Sequence, residues 1–269
     1  MILCSTGAIM GRPGKRDFTL LAEFAKKLDC DGFEFLMLDT WYEKAEDIKK
    51  FFKDIEMPIP IFHIEKGVGD LTSRNKEGDT EMAISLFRAN CDLAKALGSK
   101  KLVLHLWSGL DSDKDMDHNM ECYEIYNDIA HNNRLVLTVE NVVCNRLEPM
   151  SHMMELARKY PEIQFTFDTK MAAFHNQLEL LYKEENKWLI PFITHMHIND
   201  YAGGYKDWKN LKTLHMGEGH IDFNRFFEAI RASGYNGSFT VEATSYDVNG
   251  VVDFDSLNNC FEKIRNYIK

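Results

Sequence analysis

Four residues in the second half of the chain, Glu140, Asp168, His197 and Glu242, are of types that bind divalent cations. Each stands at or beside the end of a short apolar run: LVLTVE, IQFTFD, ITHMHI and SFTVE. They lie 28 to 45 residues apart, so only tertiary structure can bring them together. Singly, each has an ordinary explanation. A carboxylate after a strand commonly caps a helix, and a buried histidine commonly satisfies a core neighbour. As a set they differ, because uncompensated carboxylates at neighbouring buried strand ends are costly without a cation. Three carboxylates and an imidazole form a mostly hard, oxygen-rich set suited to Mn²⁺ or Mg²⁺, and the imidazole also admits Co²⁺ or Zn²⁺. One divalent metal ion is therefore the expected cofactor.

The elements that must position these residues repeat along the whole chain. Eight β-rich apolar runs occur at residues 2–5, 32–38, 59–64, 101–106, 134–140, 163–167, 193–198 and 238–241. Between them lie segments whose apolar residues fall three and four apart, as at 20–28, 81–98 and 223–233, the period of an amphipathic helix. Strand–helix alternation implies parallel strands, and nearly continuous apolar strands imply burial on both faces. Gly98 and Gly234 stop helices just before strands, and Asp222 is placed to cap the helix at Phe223. Strand starts recur every roughly 34 residues, close to the ~31 of an eight-unit barrel. No linker divides the chain and no GxGxxG follows the first strand, as a doubly wound dinucleotide fold would have. The expected fold is α/β, a single (β/α)8 barrel domain over residues 1–269. In such a barrel all strand C-termini open on one face, so the ends of strands five to eight can surround one point.

Composition narrows the function classes. With 45% apolar residues the chain can bury a core, and a formal charge of −10 opposes a phosphate-tracking nucleic-acid surface. The six cysteines, Cys4, Cys30, Cys91, Cys122, Cys144 and Cys260, form no CxxC pair, which indicates a reducing, cytoplasmic setting. Neither a basic leader nor an 18-residue apolar stretch occurs, so neither secretion nor membrane insertion is expected.

The segments VEN (139–141), FDT (167–169), HMHIND (195–200), MGEGHIDF (216–223) and TVEA (240–243) make the chain similar to the xylose-isomerase-like TIM barrels. That superfamily includes sugar isomerases, ketose 3-epimerases, inosose-processing enzymes and endonuclease IV. The resemblance spans nearly the whole chain. It implies that Glu140, Asp168, His197 and Glu242 are the metal ligands, with Glu140 and Glu242 also the acid/base pair. An ion bridging a carbonyl and its neighbouring hydroxyl stabilises the enediolate left when the carbon between them loses a proton. Epimerisation, aldose–ketose isomerisation and dehydration share that intermediate, so the motif does not separate them. The expected substrate is a small sugar, inosose or related polyhydroxy carbonyl compound. Dimerisation is common in the family, which leaves a homodimer open, although no interface is legible.

The chain also departs from its relatives. His63 and His105 end strands three and four, where endonuclease IV has histidines that bind a further zinc. That enzyme's third zinc needs a His where this chain has Met171 and an Asp-x-His where it has Leu211, Lys212 and Thr213. A phosphodiesterase is thus the weaker alternative, and a non-catalytic sugar-binding protein is another. His63 and His105 are expected to bind substrate hydroxyls or to pack under the metal. Met171 also replaces a histidine that contacts substrate in many sugar epimerases, and Lys170 or His175 is expected to substitute for it. His195 and Asn199 flank the metal-binding histidine, where lining the pocket and structuring the loop are both open. Trp107 and Trp208 can stack on a sugar ring or pack against helices. Glu34 at the end of strand two can contact substrate or form a structural ion pair. Gly217 and Gly219 suit a tight turn or close approach to substrate.

Overall fold

The eight apolar runs form eight parallel strands in a computed structural model that describes residues 1–11, 16–53, 55–247 and 249–269. The strands are β1 (Ile2–Ser5), β2 (Gly32–Leu36), β3 (Ile61–His63), β4 (Lys101–Leu104), β5 (Val136–Glu140), β6 (Gln164–Asp168), β7 (Ile193–His197) and β8 (Ser238–Val241). They follow one another in sequence order and close into a (β/α)8 barrel. Register is set by pairs such as Ser5 with Glu34, Glu140 with Thr166, and His197 with Thr240. The α-helices among the described residues are α1 (Thr6–Ile9), α2 (Leu21–Ala25), α3 (Ala45–Lys53), α4 (Gly67–Arg74), α5 (Asp79–Ala96), α6 (Met116–Asn132), α7 (Pro149–Lys159), α8 (Thr169–Phe174), α9 (Phe223–Ala232) and α10 (Phe254–Ile268). None is long and apolar enough to cross a membrane.

Where strand boundaries differ from expectation, local chemistry explains the shift. The third strand begins after Pro60, which has no N–H for the ladder, although its carbonyl accepts from the Lys100 amide at 2.9 Å. The fifth begins later than residue 134 because Arg134 adopts a left-handed φ of 58° in the turn leaving α6. Gly98 at φ 81° ends the α5 segment as expected, and the Asp222 side chain accepts from Arg225 N at the head of α9. The helix expected at 20–28 is shorter, a 3-10 turn at Phe18–Leu20 leading into α2.

Two compact units divide the chain. Met1–Glu34 with Phe167–Lys269 form one, and Phe35–Thr166 the other. In the first, α9 buries Phe226 and Phe227, and Phe227 stacks on Tyr267 of α10 with ring centres 4.8 Å apart. In the second, Phe35 stacks on Phe62 at 5.4 Å, and Phe87 of α5 stacks on Tyr126 of α6 at 4.6 Å. The Tyr126 hydroxyl is satisfied by Thr72 Oγ1 at 2.7 Å, so the ring is buried without stranding its polar end.

Candidate active site

Charged side chains in otherwise apolar strands gather in both units. In the unit formed by Met1–Glu34 and Phe167–Lys269, β6 ends on Asp168, β7 carries His195 and His197 on one face, and Glu242 follows β8. Asp168, His195 and His197 are fully buried, and the Glu242 side chain is 18% exposed. Ligand atoms of Asp168, His197 and Glu242 lie within 4.8 Å of one another. Asp168 also caps α8, its Oδ1 accepting from Met171 N at 3.0 Å, so the cap and the candidate ligand are the same residue.

Asn199 ties this cluster together. Its Nδ2 donates to Asp168 Oδ2 and to Glu242 Oε2, both at 3.1 Å, and its Oδ1 accepts from Glu242 N at 3.2 Å. The amide thus holds two carboxylates in place. Lys170 is 7% exposed; its ammonium donates to Thr213 Oγ1 at 3.0 Å and stands 3.9 Å from Asp168 Oδ2. Thr213 was not legible as a site residue. His175 is buried with its ring edge against Phe174, at 5.0 Å between ring centres. Trp208 meets Phe174 edge-on and remains 54% exposed.

His197 sits between two carboxylates. Its Nε2 is 3.0 Å from Glu34 Oε1, and its Nδ1 is 3.2 Å from Glu242 Oε2. Burial would lift the Glu34 carboxyl, but the imidazoles of His197 and His195 beside it hold it well below the usual carboxylate range. The donor set fits a cation. Two ligand atoms each about 2.1 Å from one ion stand roughly 3 Å apart, and the His197–Glu242 separation is of that size.

The loops leaving this cluster are pinned by Asp200. Its Oδ2 accepts from Gly217 N at 2.8 Å, and its Oδ1 from Ile221 N at 3.1 Å, which joins the HMHIND segment to MGEGHIDF. A Cβ on Gly219 would stand 2.3 Å from the Tyr201 carbonyl oxygen, so only glycine fits there.

In the unit Phe35–Thr166, Glu140 closes β5 and meets both strand-end histidines. Its Oε2 lies 2.8 Å from His105 Nε2 and 3.3 Å from His63 Nε2. His63 donates from Nδ1 to the Ile64 carbonyl at 2.8 Å, which turns its Nε2 toward Glu140. Burial pulls the His105 pKa down to about 4 against the pull of Glu140, so this ring is neutral near pH 7. The three residues offer atoms within 4.8 Å of one another, a further set able to hold a cation. Trp107 is fully buried; its indole N–H donates to the Val142 carbonyl at 3.0 Å and its ring packs on His152. Packing, rather than presentation to a sugar, accounts for its ring as placed.

The same unit contains a clasp that sequence reasoning missed. Asp113, buried in the turn before α6, accepts from the amides of Asn145 and Arg146 at 2.8 Å, from Leu147 N at 2.7 Å, and from His152 Nε2 at 2.9 Å. It lies in the polar run DSDKD, where nothing distinguishes it from Asp111 or Asp115.

Several solved structures are similar to this chain in fold while distant from it in sequence. A D-tagatose 3-epimerase-like protein superposes with a TM-score of 0.73 at 20% identity, covering 99% of this chain and 96% of that one. The IolI protein with a bound zinc atom gives 0.71 at 15% identity, covering 99% and 97%. The 3-keto-D-glucoside 4-epimerase YcjR from E. coli gives 0.69 at 16% identity, covering 98% of both chains. At these identities the likeness establishes the fold alone. No curated protein matches by sequence. The family model described as xylose isomerase-like TIM barrel matches residues 22–260, and to that family this chain belongs.

Proposed function

We propose that this chain, acting as one barrel domain, is a divalent-metal-dependent isomerase or epimerase of a ketose, inosose or related polyhydroxy carbonyl compound. The observation that carries the reading is the set of buried Asp168 and His197 with half-buried Glu242, whose two carboxylates are aimed by a single amide, Asn199. Glu140 is the fourth ligand in this proposal. It pairs with Thr166 in the β5–β6 ladder, and Asp168 lies two residues farther along β6. Among the similar structures are a D-tagatose 3-epimerase-like protein, a 3-keto-D-glucoside 4-epimerase and a zinc-bound protein, which supports the same class.

When bound, a divalent ion would supply a Lewis acid for the carbonyl and hydroxyl oxygens of the substrate. Glu140 and Glu242 then act as the bases that take a proton from the carbon alpha to the carbonyl and return it, the two faces of the substrate being served by different carboxylates. His105, neutral near pH 7, can donate to or accept from a substrate hydroxyl, and His63 stands beside it on the same carboxylate. Lys170 reaches an anionic or carbonyl oxygen from beside Asp168, held ready by Thr213. Asn199 keeps Asp168 and Glu242 from turning away.

The test is hydrogen exchange in D2O against a panel of ketoses and inososes, with Mn²⁺, Mg²⁺, Co²⁺ and Zn²⁺ in turn. Deuterium enters the carbon next to the carbonyl with the native protein and fails to enter with Glu140→Gln or Glu242→Gln. A metal-loaded protein that exchanges no carbon-bound hydrogen in any member of the panel refutes the assignment.

A further inference from the structure

Glu34 lies on β2, yet both of its carboxylate oxygens are turned to histidines of β7. Its Oε2 is 2.7 Å from His195 Nε2, and its Oε1 and Oε2 are 3.0 and 3.1 Å from His197 Nε2. All three side chains are wholly buried. A buried anion is stable only where donors face it, so both imidazoles present N–H to Glu34. His195 meets this requirement as a neutral ring. Its Nε2–H donates to Glu34, and its Nδ1, 2.8 Å from Ser238 Oγ, accepts the hydroxyl proton. With its Nε2 proton given to Glu34, His197 in its neutral form carries its lone pair on Nδ1, 3.2 Å from Glu242 Oε2, the spacing of two ligand atoms that share one ion.

We propose that Glu34 is a positioning residue for the metal centre: it fixes His197 in the Nε2–H tautomer, so that Nδ1 is presented to the ion, and is itself braced by His195 and Ser238. The inference rests on the metal-binding reading above. Glu34 is assigned a place behind His197 rather than on the ion. It acts through His197, as carboxylates behind metal-binding histidines do, and loss of such a partner commonly weakens metal binding 10- to 100-fold. A glutamine at this position would turn an amide donor toward one imidazole N–H. That clash drives the His197 proton to Nδ1, where it blocks the ligand lone pair.

Two measurements test this on the full chain, with Zn²⁺ as the probe. Long-range ¹H–¹⁵N spectra of the native protein, without and with Zn²⁺, are expected to show His197 protonated on Nε2 and a shift of its Nδ1 signal when Zn²⁺ is added. A His197 protonated on Nδ1 in the native protein overturns the proposal, and this readout needs no variant to fold. Competition with a chromophoric chelator is expected to show Zn²⁺ bound 10- to 100-fold more weakly by Glu34→Gln than by the native protein. A folded Glu34→Gln whose affinity stays within twofold of native also overturns it. Native protein that binds no Zn²⁺ defeats the metal-binding reading itself. Zn²⁺ bound through the other tautomer, or bound equally by Glu34→Gln, defeats only the role of Glu34.

Discussion

Replacing Asn199 by aspartate puts a third carboxylate where an amide now holds two apart. The Nδ2 group that is 3.1 Å from both Asp168 Oδ2 and Glu242 Oε2 becomes an oxygen facing two oxygens. At about 4 Å between charge centres and an effective dielectric of about 20, each repulsion is about 4 kcal/mol. Proton uptake limits the damage. Protonating one carboxyl of ordinary pKa near 4 at pH 7 costs about 4 kcal/mol, which caps the penalty near that figure. For a chain of 269 residues, with an unfolding entropy of roughly 2.1 cal/mol/K per residue, that loss lowers Tm by about 7 °C. A divalent ion reverses the sign of the problem, because the added carboxylate then faces a dication. Differential scanning fluorimetry of metal-free Asn199→Asp should therefore show a Tm several degrees below native, and saturating Mn²⁺ should raise the variant more than the native protein. A metal-free Tm within about 1 °C of native would mean that Asn199 does not separate the carboxylates. Equal gains from metal in both proteins would mean that no cation is held among them.

Other consequences follow from individual contacts. Lys170→Met should leave metal content unchanged and lower kcat/KM on the substrate found by exchange roughly 10- to 100-fold, the worth of one charged hydrogen bond; unchanged kinetics would remove Lys170 from the pocket. Burial alone would raise the Asp113 carboxyl, but the amides of Leu147, Arg146 and Asn145 and the His152 ring hold it at about 2. Its contribution, up to about 2 kcal/mol, is therefore complete above the ordinary carboxylate pKa near 4 and fades as pH falls toward about 2. Urea unfolding of native protein and Asp113→Asn should accordingly differ most at neutral pH and converge below pH 4, and a gap independent of pH would contradict this. In Gly219→Ala the new Cβ would have to move away from the Tyr201 carbonyl, 2.3 Å off, costing about 1 to 3 kcal/mol; a thermal melt unchanged from native would show that the loop yields freely.

The barrel was legible because each strand is a short apolar run bounded by helix stops, and the boundaries slipped only where one residue overrode the pattern. Pro60 withheld an N–H from β3, and Arg134 took a left-handed turn ahead of β5. Glu140, Asp168, His197 and Glu242 could be picked out as charges at the ends of such runs. Partnership was harder to read. Glu34 is visible as a charge within GFEFL, but its histidines lie 161 and 163 residues away, and no local pattern connects them. Asn199 is legible only as a neighbour of His197, because the two carboxylates its amide holds lie 31 and 43 residues away. Trp107 shows the same limit: sequence places it on a rim loop, but only packing decides whether the ring turns toward solvent or toward His152.

The Asp113 clasp bears on how this rim could be exchanged between relatives. Residues 145–147 hang by their amides from a carboxylate 32 to 34 positions earlier in the chain, with all of α6 and β5 between. A graft that brings in only the segment after β5 from another barrel inherits its sequence without the anchor that gives it shape. The heritable module is discontinuous, the loop together with Asp113 ahead of α6, and the two should be transplanted as a pair.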